Sequence, residues 1–290
     1  MHHGSSGDSL DLTVAIPVLN EEKMLGNCLT ALGKDFARRI VVIDSGSTDQ
    51  TVAIARQHGA EVVTFAWNGR FPKKRNWFLR EHRPETRWIL FLDADEWVSP
   101  KWKTAVREAL RQPGGVVGFW LAYTVHFLGG PLKGGLPLPK LALFQVGAGE
   151  YERIDEKHWT GLDMEVHEHP LLNGPTGRIR VPIDHRDDRG LEHSLRKHLE
   201  YAHWECARYQ AVRKDPKGQP HWTKRQRIKY ALLTFPLFPW LVFWMSFLGY
   251  GGFRDGRRGW HYATLKAAYF AQIQALIAER KSASTPPAEE

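Results

Sequence analysis

Asp93-Ala94-Asp95 directly follows the apolar run Trp88–Leu92 and is itself followed by Glu96. Two carboxylates at i and i+2 just past a buried strand are costly to desolvate without a cation, and hard oxygen donors suit Mg2+ or Mn2+. Asp44 closes another apolar run, Ile40–Ile43, and opens Asp44-Ser45-Gly46-Ser47-Thr48-Asp49. A third polar cluster, Asn20-Glu21-Glu22, comes after Leu12–Ile16. Three consecutive strands delivering acceptor groups to one edge, where open α/β sheets bind their ligands, point to a shared site more than to three solvated loops. Between them lies Arg70-Phe71-Pro72-Lys73-Lys74-Arg75-Asn76, a compact cationic segment whose charge suits a diphosphate.

The elements that must position these groups alternate in type. Leu12–Ile16, Ile40–Ile43, Glu61–Phe65 and Trp88–Leu92 read as strands without period-2 alternation, as a parallel sheet covered on both faces requires. Helical patterns separate them: one from about Asn20, read as its cap, to Leu32 with Gly33 as its stop, and one from Thr48 or Asp49 to His58. A helix is expected over 101–111 and strands over 116–126 and 141–146, joined by a Gly/Pro-rich loop from Gly129 to Pro139. Residues 191–214 carry a long helical pattern. The boundaries read from this are a tag remnant and disordered start over 1–10, a catalytic domain over 11–190, a helical region over 191–282 and a flexible tail over 283–290. Nothing apolar of secretion-signal length follows Met1–Gly7.

With 290 residues, 42% apolar and 25% charged, the composition excludes a disordered or collagen-like chain, and two cysteines far apart, Cys28 and Cys206, exclude a disulfide scaffold. The net charge of +8 is unevenly placed. Residues 1–170 hold 20 Lys/Arg against 21 Asp/Glu, and residues 171–290 hold 20 against 11. Any polyanionic or anionic-membrane surface therefore belongs to the second part. That part also contains Ala231–Tyr250, 20 residues without charge, rich in Phe and Trp, with Pro236 and Pro239 inside and basic residues on both flanks. The prolines break a spanning helix and the flanking charge keeps both ends on one side, so an interfacial or re-entrant hairpin is expected over a single span or a soluble core helix.

Taken together, Thr13-Val14-Ala15-Ile16-Pro17-Val18-Leu19-Asn20-Glu21-Glu22, the Asp44–Asp49 segment and Phe91-Leu92-Asp93-Ala94-Asp95-Glu96 resemble, in order and spacing, the signatures of family-2 inverting glycosyltransferases of the GT-A fold. Val166-His167-Glu168, Ile183-Asp184-His185 and Tyr250-Gly251-Gly252-Phe253-Arg254-Asp255-Gly256 resemble the subgroup that includes lipopolysaccharide-core glucosyltransferases. The resemblance implies an α/β fold, Rossmann-like and mostly parallel, with a C-terminal helical, membrane-associating extension. It implies a nucleotide base held by Pro17, Asn20, Glu21 and Asp44, a ribose reached by Asp93 beside Ala94, and Mn2+ or Mg2+ held by Asp95 with Asp93 and His185. Such a transfer expels a nucleoside diphosphate, whose growing charge needs a cation already in place; Lys74 and Arg75 can share that load.

An inverting transfer also needs a base for the acceptor hydroxyl. Asp163, Glu165 and Glu168 are the candidates, Glu168 being preferred by the His-Glu match, with His167 to orient it or touch phosphate. The expected activity is hexose transfer from a nucleotide sugar, UDP-hexose foremost, to a lipid-linked or lipopolysaccharide-type glycan. Its expected place is the cytoplasmic face of the bacterial inner membrane, peripheral or monotopic. The weighed alternatives are a polyprenyl-phosphate glycosyltransferase and a catalytically inactive membrane-bound scaffold. No nucleic-acid partner is expected, since Lys197, Tyr201, Trp204, Arg208 and Tyr209 recur at helical spacing and so pack or anchor. The motifs leave the donor sugar, the acceptor and the oligomeric state open.

Overall fold

The computed structural model describes residues 9–154, 162–163, 169–214, 222 and 224–283. The described residues form two compact units: one comprises those up to His126 and those between Leu138 and Asp188, and the other Phe127–Pro137 and those from Arg189 onward. The Gly/Pro-rich loop, inside the continuous span 11–190 in sequence, thus groups with the C-terminal unit.

The first unit is built on strands β1 (Leu10–Val18), β2 (Ala37–Asp44), β3 (Glu61–Thr64), β4 (Trp88–Phe91), β5 (Glu96–Trp97) and β6 (Gly118–Phe127). After the two-residue β7 (Gly130–Pro131) come β8 (Lys140–Gln145), β9 (Gly149–Tyr151), β10 (Pro170–Leu172) and β11 (Thr176–His185). The main sheet runs β3-β2-β1-β4-β8-β6-β11-β5, and β9 and β10 form a small separate pair. β3, β2, β1 and β4 are mutually parallel, β8 enters antiparallel to both β4 and β6, and β11 runs parallel to β6 and antiparallel to β5. Every residue of β1 from Leu12 to Val18 and all of β4 are buried, which explains why neither strand alternates apolar with polar residues; the one polar side chain, Thr13, shares a hydrogen bond with the Thr86 hydroxyl at 2.8 Å. The strand order reverses about β1, so the crevice outside the carboxyl ends of β1, β2 and β4 is where a ligand fits.

Helices α1 (Leu25–Leu32), α2 (Thr51–Gln57), α3 (Lys74–Glu81) and α4 (Pro100–Arg111) accompany the sheet. α1 buries Leu25, Cys28, Leu29 and Leu32, and α4 buries Trp102, Val106 and Leu110, each on one helical stripe. Ser99 caps α4 by accepting a hydrogen bond from the Trp102 amide at 3.1 Å, with Pro100 in the first turn. The expected cap of α1 is corrected. Asn20 has φ 55° and lies outside the helix; its side-chain oxygen accepts from the Thr48 amide at 2.8 Å, while Glu21 O accepts from the amides of Met24 and Leu25. A short amide side chain tolerates the left-handed conformation and supplies a tie between loops instead of a cap.

Both cysteines are buried free thiols. Burial, reinforced by the carboxylates of Glu96, Asp95, Asp93 and Glu21, raises the Cys28 thiol pKa well above its ordinary value. The thiolate is the reactive form, so native protein should take up no iodoacetamide at Cys28 within hours, and should label fully once denatured. Mass spectrometry checks this; native labelling of Cys28 would show that the α1 face opens.

The second unit contains α5 (Leu191–Lys214), α6 (Lys224–Leu232), α7 (Phe238–Trp244) and α8 (Arg257–Ala283), with a π-helical turn at Met245–Gly249 and a 3-10 turn at Gly252–Asp255. α5 takes the span expected from its periodicity. Ala202, Cys206, Tyr209, Leu233, Phe238, Val242, Tyr269, Ile273 and Ile277 form its core. The uncharged aromatic run does not make one helix. It breaks before Pro236, where Gln274 donates to the carbonyls of Leu233 and Phe235 at 2.9 and 2.8 Å, and resumes at α7 with Pro239 in the first turn. Among the described residues no helix is long and apolar enough to cross a membrane.

Candidate active site

The carboxyl ends of β1, β2 and β4 bring together the residues singled out by motif. Pro17 is buried in β1, past Ala15, the last residue paired with β4. Asn20 and Glu21 are tied to the loop after β2: the Asn20 amide donates to Ser47 Oγ at 2.8 Å and the Glu21 amide to Thr51 Oγ1 at 2.7 Å. Asp44, 4% exposed, ends β2 and accepts from the amides of Gly46 and Ser47 at 3.0 and 3.1 Å. The carboxylate therefore holds its own loop in shape, leaving the loop surface around it to face a ligand.

After β4, Asp93 is bracketed by two cations. Arg75 Nη2 donates to one carboxylate oxygen at 2.9 Å and Lys140 Nζ to the other at 2.6 Å. Lys140 also pairs with Glu96, which is 1% exposed, and lies over the Tyr123 ring at 5.1 Å. Burial pushes the Glu96 carboxyl up to about 7; Asp93 adds to the rise and Lys140 opposes it. Burial would lower the Lys140 pKa, but the Asp93 and Glu96 carboxylates outweigh it and raise it well above its ordinary value. Arg75 is further fixed over the rings of Tyr151 and Phe91 at 5.3 and 6.0 Å.

Ala94 and Asp95 are buried at 4% and 5% exposure. β5 pairs with β11 so that Glu96 lies opposite His185, and this register brings His185 Nδ1 to 3.4 Å from Asp95 Oδ1. Burial lowers the His185 pKa, yet the facing Asp95 carboxylate more than offsets it and the net shift is upward. A carboxylate and an imidazole at this separation are donors that fit Mn2+ or Mg2+. They would supply two ligands; among the described residues no cluster of three or more His, Cys, Asp or Glu has the arrangement of a metal site. A cation held here would draw its remaining ligands from a bound diphosphate and water.

Lys74, 2% exposed, opens α3 and points Nζ at Val18 O, 3.0 Å away, and at Asp163 Oδ2, 3.1 Å away. Burial lowers its pKa, partly countered by Asp163. Ser45 donates its hydroxyl to the same Asp163 carboxylate, and the Lys74 amide bonds Asp163 O at 3.1 Å. Asp163 is thus joined to the strand ends of β1 and β2. Glu165, His167 and Glu168 lie outside the described residues.

Two members of the site are given no role from sequence. Lys140 is a lone lysine after a Gly/Pro-rich loop, and Glu96 reads as the tail of the Asp93-Ala94-Asp95 motif. The insertion of β8 between β4 and β6 is what joins them, 44 residues apart.

The site is thus an open α/β sheet with paired carboxylates, a histidine and bracketing cations at its switch point. Residues 13–148, just under half of the chain, match the sequence profile described as "Glycosyl transferase family 2". The chain is 26% identical over 283 residues to the lipopolysaccharide core biosynthesis glycosyltransferase LpsC of Rhizobium meliloti (strain 1021), covering 93% of this chain and 95% of LpsC. It is 34% identical over 106 residues to the SPbeta prophage-derived glycosyltransferase SunS of Bacillus subtilis (strain 168), covering 36% of this chain and 24% of SunS. Among solved structures, it is similar to glucosyl-3-phosphoglycerate synthase from Mycobacterium tuberculosis in complex with Mn2+, UDP and glucosyl-3-phosphoglycerate. That match has 23% identity and a TM-score of 0.32, and covers 43% of this chain and 46% of the other.

Proposed function

We propose that the protein transfers a hexose from a nucleotide sugar, UDP-hexose foremost, to a hydroxyl of a lipid-linked or lipopolysaccharide-type glycan at the cytoplasmic face of the bacterial inner membrane. The observation that carries the donor side is the convergence of Asp93, Asp95 and His185 with Arg75 and Lys140 at the sheet's switch point. Asp95 and His185 hold Mn2+ or Mg2+, which when bound supplies positive charge against the leaving diphosphate. Asp93, fixed by two cations, presents its carboxylate to the ribose, and the Asn20, Glu21 and Asp44 loops form the wall for the base. Because Asp163 is occupied by Lys74 and Ser45, we assign the acceptor base to Glu168, oriented by His167, with Glu165 as the alternative. Similarity to LpsC along nearly the whole chain supports a lipopolysaccharide-type acceptor. The test is nucleoside diphosphate release across a panel of nucleotide sugars, with detergent-solubilised lipid glycans and either metal. Acceptor-dependent release from UDP-hexose is expected; release from no donor overturns the reading.

The membrane location rests on the second unit. Trp240, Leu241, Trp244, Met245 and Leu248 project from α7 and the π-helical turn, with Trp240 63% and Leu248 55% exposed. Exposed Lys224, Arg227, Arg254 and Arg257 lie on the elements to either side in sequence. Apolar side chains that enter the acyl boundary combined with cations for anionic headgroups suit an interfacial protein. Lys229 is not among these cations, since its Nζ is 2.5 Å from the buried Glu205. Vesicles containing phosphatidylglycerol should co-sediment the protein, and Trp240→Ser with Trp244→Ser should abolish it; unchanged sedimentation would remove the membrane assignment.

A further inference from the structure

Within the second unit, the loop that follows β6 is clamped by the 3-10 turn before α8. Asp255 accepts the Lys133 amide with both carboxylate oxygens, each at 2.9 Å, and the Gly134 amide at 2.9 Å. The Gly135 amide bonds Tyr250 O at 3.1 Å. At Gly134 the approach is close enough to demand glycine: a methyl group there would fall 2.3 Å from the backbone oxygen of Gly251. Gly251 and Gly256, at φ 72° and 55°, bracket the turn and aim the Asp255 carboxylate. Three consecutive loop amides are thus satisfied by residues more than 110 positions away in sequence, which is unusual for a surface connection.

The two ends of this loop lead to active-site groups. It leaves β6, which carries Tyr123, and six residues after Gly134 the chain reaches Lys140, the first residue of β8. Lys140 pairs in the sheet with Leu121, and its Nζ serves both Asp93 and Glu96. A residue at the head of a strand is held by the ladder on one side only, so its backbone setting depends on how the incoming loop is anchored. We infer that Asp255 is a positioning residue: by fixing the 133–135 amides it sets the entry into β8, and through it the Lys140 ammonium that holds Asp93 for the donor. The donor part of this inference rests on the function proposed above.

Hydrogen exchange followed by mass spectrometry tests the anchoring without reference to activity. In Asp255→Ala, exchange at Lys133 and Gly134 should accelerate at least tenfold and exchange at Lys140 and Leu141 should rise with it. Kinetically, the KM for the nucleotide sugar should rise about tenfold while kcat stays within twofold. Asp255→Asn, which keeps one acceptor oxygen, should fall between. Gly134→Ala forces the same loop away without removing a charge and should reproduce Asp255→Ala, also deciding the matter if the aspartate variant folds poorly. Lys133→Ala leaves the amide in place and should behave as wild type. Faster exchange at 133–134 with no change at 140–141 overturns the inference, as does an unchanged donor KM. Wild-type protein that binds no UDP with Mn2+ would instead refute the donor reading, and the exchange data would still judge the anchor.

Discussion

Asp95→Asn is expected to lower kcat/KM for the nucleotide sugar about a hundred- to a thousandfold, the range seen when a preorganised electrostatic partner of a developing anion is removed. The substitution keeps the shape of the side chain, and the Asp95 carbonyl that accepts the Arg186 amide at 2.8 Å is untouched, so folding should be preserved by circular dichroism. What is lost is the charge facing His185 and, on the proposed function, a carboxylate donor for the cation. His185→Ala should cost less, about tenfold in apparent metal affinity, because the carboxylate remains to hold the ion. Turnover of Asp95→Asn equal to wild type at saturating acceptor would remove the metal from this position.

The second large effect concerns stability. Lys140→Met should lower the melting temperature by about 4–8 °C, corresponding to about 2 kcal/mol for a unit of this size. The magnitude is smaller than for a fully buried pair because the Lys140 side chain is 37% exposed. Its loss leaves Glu96, 1% exposed, and Asp93 near one another, with Arg75 still paired to Asp93 at 2.9 Å. Adding Glu96→Gln should restore most of the loss, since a neutral amide no longer needs the ammonium. A double-mutant cycle by calorimetry measures the coupling, and additivity within about 0.5 kcal/mol would show that the Lys140–Glu96 contact contributes nothing of its own. The two predictions separate the roles at one sheet edge: on the proposed function Asp95 acts on the reaction, whereas Lys140 holds together a carboxylate cluster that would otherwise repel itself.

Much of the cluster at the carboxyl ends of β1, β2 and β4 was legible in the chain. Leu12–Ile16, Ile40–Ile43 and Trp88–Leu92 are short, apolar and unalternating, and each runs into a loop with a carboxylate or amide; a strand buried on both faces leaves little else for such a pattern to be. α5 was legible as a 24-residue helix from periodicity alone. Asn20 was misread because its side chain can cap a helix or tie two loops, and the choice depends on Thr48, which the sheet brings beside it. The aromatic run announced its break through Pro236 and Pro239, but which face each aromatic presents follows from packing: Phe238, Val242 and Phe243 are buried and Trp240, Leu241 and Trp244 are not.

By itself the sequence determined the local choices: which segments are strands, which loops carry acid, where prolines and glycines interrupt, and that positive charge gathers beside an uncharged aromatic stretch. These depend on a residue and its near neighbours. The tertiary structure alone decided which charges balance. Lys140 reaches Asp93 because β8 runs antiparallel beside β4; His185 reaches Asp95 because β11 pairs with β5; Lys74 and Ser45 share Asp163 across 89 and 118 residues; Asp255 holds amides 121 and 122 residues away. Each is a pairing between groups that carry ordinary patterns where they stand, and only strand order and register, set by the burial of the whole sheet, make one the partner of the other.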